Sequence, residues 1–387
     1  MNPPRASRRS WEIDALRGLM LVLMTLTHLP TRLTDPMGQP FGFVSAAEGF
    51  VLLSAYMAGL VYSRIAYRQG IVQMERAFWK RAFKVYLIQA AILFFLFTVI
   101  TALSLRIDQP AVKNLVAFYL AQPLEGFVFG LLLVYEPALL DILPMYIFFL
   151  LMSPWVLAFG MRHGWWGVMG VSIAVWVGAQ YGLAEWVHAQ AVHWLHLPVS
   201  YADTGAFNAF AWQILWMAGL WMGASRNAPG AKPFRFPRWV LAIAIALAAY
   251  FFWWRHTNVH GQAPFGADVQ LNLLFDKWIL GPLRLLNLVA LGILTIRFGP
   301  PLARMLPRQR WLETMGAASL PVFCTHLIAV LLVLAIWGDN QFARPWWGDA
   351  LLLATVFGAM WGVGRFTQKA DATPPPEEEP ATAPGGT

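Results

Sequence analysis

Ten apolar runs of roughly 20 residues each divide this chain, and nothing between them is long enough for a separate soluble fold. A helix of that length matches the hydrocarbon thickness of a bilayer, and lipid requires every backbone N–H and C=O to be satisfied within the spanning segment. The expected class is therefore an all-α integral membrane protein. Composition agrees: over 387 residues 58% are hydrophobic and only 12% charged, where a soluble domain carries about 25% charged residues.

The runs fall near 16–34, 46–67, 78–104, 141–161, 164–186, 207–226, 238–256, 278–298, 314–337 and 346–366. Lys and Arg orient them, because basic residues gather on the cytoplasmic side. If the N-terminus is cytoplasmic and the loops alternate, all 28 basic residues fall on that side except Arg32, Arg106, Lys113, Arg255, Lys277, Arg284 and Arg344. The expected fold is a bundle of about ten transmembrane helices with both termini cytoplasmic. Residues 1–369 form one membrane domain, and the Pro/Glu/Ala/Thr-rich tail 370–387 is expected to be disordered. No small-residue cleavage site follows the first run, which reads as a retained helix rather than a removed leader. The segment 126–135 is apolar but too short to cross, and reads as interfacial or re-entrant. The net charge of +8 is absorbed by these orientation signals, so no nucleic-acid partner is expected; the lipid bilayer is. A single cysteine, Cys324, excludes a disulfide framework and a cysteine-based metal site.

Ionisable residues inside membrane helices are costly and usually face a partner, a substrate or water. Arg17 and His28 lie eleven residues apart on the first run. Eleven helical steps end about 20° past three full turns, so the two share one face about 16 Å apart along the axis. With the alternating topology, His28, Glu48, Asp141, Tyr146, Arg284, Asn287 and His326 converge on the outer half of the bilayer, which calls for a water-filled cavity. Each also has a plainer reading. His28 suits a helix end bonded to a carbonyl, and Glu48 a structural partner of Arg32 or Arg284. Asp141 suits an N-cap ahead of Pro144, Tyr146 an interfacial belt residue, and His326 a core hydrogen bond. His188, His193 and His196 cluster in a loop, but no carboxylate or cysteine joins them at tight spacing, and no metal is expected.

These same residues carry a resemblance. The stretch Trp11-Glu-Ile-Asp-Ala-Leu-Arg-Gly-Leu19, then Thr27-His-Leu-Pro30 and Phe41-Gly-Phe-Val-Ser-Ala-Ala-Glu-Gly-Phe50, resembles the OpgC family. Asp141-Ile-Leu-Pro-Met-Tyr146, Arg284-Leu-Leu-Asn287 and Ser319-Leu-Pro-Val-Phe-Cys-Thr-His326 fit the same pattern, so the likeness covers nearly all of residues 10–366. It implies a ten-span enzyme of the bacterial inner (cytoplasmic) membrane that succinylates osmoregulated periplasmic glucans. It also implies kinship with type 3 membrane acyltransferases, whose Arg or Lys, ten residues, then His pattern Arg17 and His28 satisfy. The chain departs from the family at Ser54-Ala55, where Ser-Gly is usual, and this bears on helix packing in the second span.

Acyl transfer from a thioester to a sugar hydroxyl needs a base, a place for developing negative charge and alignment of two substrates. His28 is the expected base, with Glu48 orienting it. Arg17, Arg76, Lys80 and Arg81 are expected to hold the phosphates of an acyl-CoA donor, which is a substrate and not a permanently bound cofactor. Arg284 suits the free carboxylate of a dicarboxylic acyl group such as succinyl. His326 and Tyr146, with Asp141 and Asn287 beside them, are expected to supply oxyanion or acceptor-sugar contacts. No well-placed Ser or Cys argues for a covalent intermediate, Ser45 being the nearest candidate. The main rival is a transporter or flippase for an anionic or saccharide substrate, since ten helices with buried charge suit a carrier as well.

Overall fold

The computed structural model describes residues 11–257, 263–342 and 344–372, and all regular structure among them is helical. The longer elements are α1 (Trp11–His28), α2 (Ala46–Gln69), α3 (Ile71–Ile107), α4 (Ile142–His163), α5 (Trp166–Gln180), α6 (Leu183–Leu195) and α7 (Ala209–Ser225). They continue with α8 (Arg238–Thr257), α9 (Pro282–Met305), α10 (Arg310–Ala317), α11 (Ser319–Trp337) and α12 (Trp346–Ala372).

Seven helices among the described residues are long and apolar enough to cross a membrane, or eight if the bent pair α5 and α6 is one span. This is fewer than the ten expected. Helix α1 covers 18 residues but carries Glu12, Asp14 and Arg17, and α7 is 17 residues long. The fifth expected span, 164–186, is not straight: the chain bends by 77° between α5 and α6. Gly182 sits at the break with φ +82°, a left-handed conformation that glycine adopts without steric cost. The expected interfacial segment, 126–135, overlaps a nine-residue helix, Pro123–Leu131. The expected disordered tail lies outside the described residues from 373 onward, as do Arg5, Arg8 and Arg9; helix α12 itself runs through Ala372.

Helix α2 opens on a capping box. The Ser45 side chain meets the backbone of Glu48, and the Glu48 carboxylate accepts from the Ser45 amide at 3.1 Å. Such a box satisfies two of the amides that a helix start leaves unpaired. The helix then packs on α7 through small residues. A Cβ on Gly219 would lie 2.5 Å from the Ala55 Cβ, and one on Gly223 would lie 2.1 Å from the Tyr56 carbonyl oxygen. Ala55 is fully buried in this contact. The Ser54-Ala55 departure is accommodated, because glycines on both helices admit the close approach: Gly219 and Gly223 on α7, spaced four apart, and Gly59 on α2, where a Cβ would lie 2.3 Å from the Leu220 carbonyl oxygen. Gly223→Ala is expected to destabilise the protein by about 1–3 kcal/mol. Gly170→Ala, with open space around it, is the control. Thermal denaturation in detergent reads both, and equal midpoints would refute the close contact.

A second pair of glycines sets α1. A Cβ on Gly18 would lie 2.1 Å from the Leu312 carbonyl oxygen, and one on Gly316 would lie 1.8 Å from that of Asp14. Helix α10 is therefore pressed onto the first turns of α1, and the chain passes directly from it into α11. Arg17 reaches Ser319 at the start of α11, and His28 reaches His326 further along, so α1 and α11 run in parallel.

Candidate active site

His28 ends α1 and lines a cavity of about 800 Å³. The other walls are the start of α2 (Ser45, Ala46), the start of α4 (Asp141, Ile142), Arg255 near the end of α8, the loop carrying Asn272 to Trp278, and Arg284 in the first turn of α9. These helix ends all belong to one end of the bundle, as an alternating chain requires.

The His28 ring is held by His326. Their nitrogens, Nδ1 and Nε2 respectively, are 2.9 Å apart, and the rings stack with centroids 5.1 Å apart. The proton positions follow from the far side of His326. Its Nδ1 lies 3.1 Å from the Phe323 carbonyl oxygen, which can only accept. His326 Nδ1 therefore carries the proton and its Nε2 is the acceptor. The His28 Nδ1–H donates to it, and in the neutral pair the lone pair of His28 is on Nε2. His326 is fully buried and fixes both the tautomer and the plane of the His28 ring.

Glu48 does not fill the role expected of it. Its carboxylate accepts from Arg284 Nε at 2.6 Å and from the Ser45 amide and hydroxyl, and it makes no hydrogen bond to His28. Both charges are buried, Arg284 at 1% and Glu48 at 0% exposure. The alternative reading of Glu48 as a structural partner of Arg284 is the one the structure shows. Arg284 also donates from Nη1 to the Phe275 carbonyl at 3.1 Å, while its Nη2 is buried with no partner. Asn287 lies one turn further on and accepts from the Phe43 amide at 2.8 Å. It thus holds the 41–43 segment and does not line the cavity, contrary to its expected place among the substrate contacts.

Asp141 lines the cavity from the N-cap position of α4, yet its carboxylate accepts from the Ala206 amide at 3.1 Å across the mouth and makes no cap hydrogen bond. Beside it stands Glu136, which the sequence did not single out. The carboxyl of Glu136 is pushed well above the ordinary range by burial and by the charge of Asp141. Lys277 is a second residue that sequence reasoning missed as a site residue. Burial holds its ammonium below the ordinary lysine pKa, with Glu48 and Asp141 opposing the shift and Arg284 adding to it. Neither residue belongs to a helical pattern, and no local signal could have found them.

A second, narrower space of about 20 Å³ lies at Arg17, Arg81, Tyr146, Ser54, Ser319 and Phe50. Arg17 donates to the Ser319 hydroxyl there, and Asp14 lies 4.0 Å from the guanidinium. Arg17 and Arg81 are thus brought together, whereas Arg76 and Lys80 are exposed and line neither space. Tyr146 belongs to this space and not to the His28 cavity as expected: five residues into α4 it lies about 7 Å below Asp141. Ile142 and Phe323 line both spaces, and Phe323 stacks on Phe50 with centroids 5.8 Å apart. Those two side chains form the partition between the Arg17 end and the His28 end.

Among the described residues no group of three or more His, Cys, Asp or Glu is placed to hold a metal ion. His188 instead contacts the Val199 carbonyl at 3.1 Å, and His196 ends α6. A family model described as OpgC protein matches residues 9–372. No curated protein and no solved structure matches the chain.

Proposed function

The chain belongs to the OpgC protein family, and from that premise we propose that it is a membrane O-acyltransferase moving a succinyl group from cytoplasmic succinyl-CoA to a hydroxyl of a periplasmic glucan. The observation that carries this reading is the His28–His326 pair at the wall of an 800 Å³ cavity, on the same helix whose other end presents Arg17 beside Arg81.

In this proposal the glucan enters the larger cavity and His28 Nε2 takes the proton of its attacking hydroxyl. The oxygen adds to the thioester carbonyl, the tetrahedral intermediate collapses, and the thiolate of CoA leaves with the proton that His28 returns. His326 accepts from His28 Nδ1–H throughout, which is the orienting role a carboxylate plays in hydrolase triads. Glu48 is not needed for it. Arg17 and Arg81 suit the CoA phosphates through charge-assisted hydrogen bonds. The space beside them holds no more than a water or two, so entry of a pantetheine arm requires the Phe50–Phe323 stack to part. A cavity that ends at the His28–His326 pair supports transfer chemistry over carriage of a solute. The catalyst then joins two compartments, with activated donor on one side and acceptor on the other.

Purified protein in liposomes, given succinyl-CoA on the Arg17 side and a neutral β-glucan oligosaccharide on the other, is expected to raise the mass of the oligosaccharide by one succinyl group. An unchanged oligosaccharide, with the protein folded and CoA thioester intact, would refute the assignment.

A further inference from the structure

Three cationic side chains face the His28 cavity from different elements: Arg255 of α8, Arg284 of α9 and Lys277 of the loop between them. Their polar atoms are incompletely used. Arg284 Nη2 and Arg255 Nε are buried without a hydrogen-bond partner. The Lys277 ammonium makes no hydrogen bond or ion pair with the described residues, and it rests over the rings of Trp278 and Phe207 at 4.6 and 5.5 Å. A buried charged donor without an acceptor carries a desolvation cost that a bound anion removes.

The acids of the cavity offset it only through space, Asp35 acting on Arg255 and Glu48 and Asp141 on Lys277, because their oxygens are hydrogen-bonded elsewhere. The Asp276 carboxylate accepts from the Trp278 and Ile279 amides at 2.7 and 2.9 Å, and that of Asp141 from the Ala206 amide. Asp35 accepts from Gln341, and Glu48 is held by Arg284 Nε and Ser45. Lys277 lies within electrostatic reach of His28 as well as of Arg284. A negative group between these cations would therefore sit close to the reacting thioester. The CoA phosphates belong at the Arg17 end, about 16 Å away along α1. A small carboxylate suits the place: it is a single negative charge with two acceptor oxygens, flanked by acids that would repel a dianion.

We propose that Lys277, Arg255 and the unused Nη2 of Arg284 form a carboxylate subsite that reads the far end of a dicarboxylic acyl group, with Lys277 as its main determinant. The inference rests on the transfer reading above and adds to it the residues that set donor choice. Arg284, tied to Glu48, supplies one N–H of the subsite, while Lys277 brings an ammonium that Glu48 and Asp141 act on only through space and that no described residue pairs with directly. A donor ending in a methyl group leaves that ammonium without its anion and is disfavoured.

The test compares succinyl-CoA with butyryl-CoA, which has the same chain length and a methyl in place of the carboxylate, on the full chain in liposomes with the glucan acceptor. Wild-type protein is expected to favour succinyl-CoA in kcat/KM. Lys277→Met is expected to lower the succinyl-to-butyryl ratio roughly 30-fold or more, and Lys277→Arg to restore a large part of it. Lys277→Gln carries the same comparison should Lys277→Met not fold. A ratio left unchanged by loss of the charge overturns the subsite while the transfer reading stands, and assigns Lys277 to the reacting carbonyl or to the fold. Wild-type protein that transfers neither acyl group fails the transfer reading itself, and the subsite with it.

Discussion

His28→Ala is expected to lower glucan acylation by about 10²–10⁴-fold in kcat, the range a positioned general base contributes, with the protein still present in the membrane at its normal level. The side chain ends α1 at the cavity wall, and both its hydrogen bond and its ring stacking go to one other side chain, His326. His326 distinguishes the positioning role from a merely structural one. His326→Gln keeps an amide oxygen able to accept from His28 Nδ1–H, whereas His326→Leu fills similar space and cannot. Activity is expected in the order wild type, Gln variant, Leu variant, at similar thermal midpoints. Full activity of His28→Ala would end the base assignment, and equal activity of the two His326 variants would end the tautomer argument.

The largest stability effect is expected at the Glu48–Arg284 pair. Both groups lie out of solvent, and removing one partner strands the other charge, at a cost of about 3–5 kcal/mol. Glu48→Gln is the milder of the two single changes, because glutamine still completes the capping box with Ser45; its one amide oxygen is used there, so Arg284 Nε loses its acceptor together with the countercharge. Arg284→Met strands the carboxylate and also releases the Phe275 carbonyl. The double variant Glu48→Gln with Arg284→Met leaves no charge behind and is expected to recover much of the loss, a coupling that a double-mutant cycle measures from thermal or chemical denaturation. Single variants as stable as wild type would show that the pair does not hold the start of α2 against α9.

How far each residue could be read from the sequence follows the range of the interaction that fixes it. Arg17 and His28 share a face because of helix periodicity alone, and the structure accordingly places both along one side of α11. The Ser45–Glu48 box is local and sits where the second apolar run begins. The partner of Glu48 lies 236 residues away and that of His28 298 residues away, and periodicity says nothing of which helix meets which. The sequence therefore left Glu48 open between orienting His28 and pairing with Arg32 or Arg284, while for His326 it suggested an oxyanion or sugar contact or a core hydrogen bond, not an orienting role. Tyr146 and Asn287 were misplaced for a related reason: depth along a helix was legible, but the side on which a residue emerges relative to a cavity was not.

What the chain's sequence determined by itself is the helical membrane class and the approximate places of its apolar runs, because lipid leaves the backbone no partner but itself. It also determined the alignment of Arg17 with His28, a property of one helix. Tertiary structure alone decided that His326 orients His28, that Glu48 neutralises Arg284, and that Lys277 is left facing the cavity. Each of these depends on how rigid helices, set by glycine contacts between α2 and α7 and between α1 and α10, bring distant segments to one depth. Such packing is a cooperative outcome of the whole bundle and is written in no single stretch of residues.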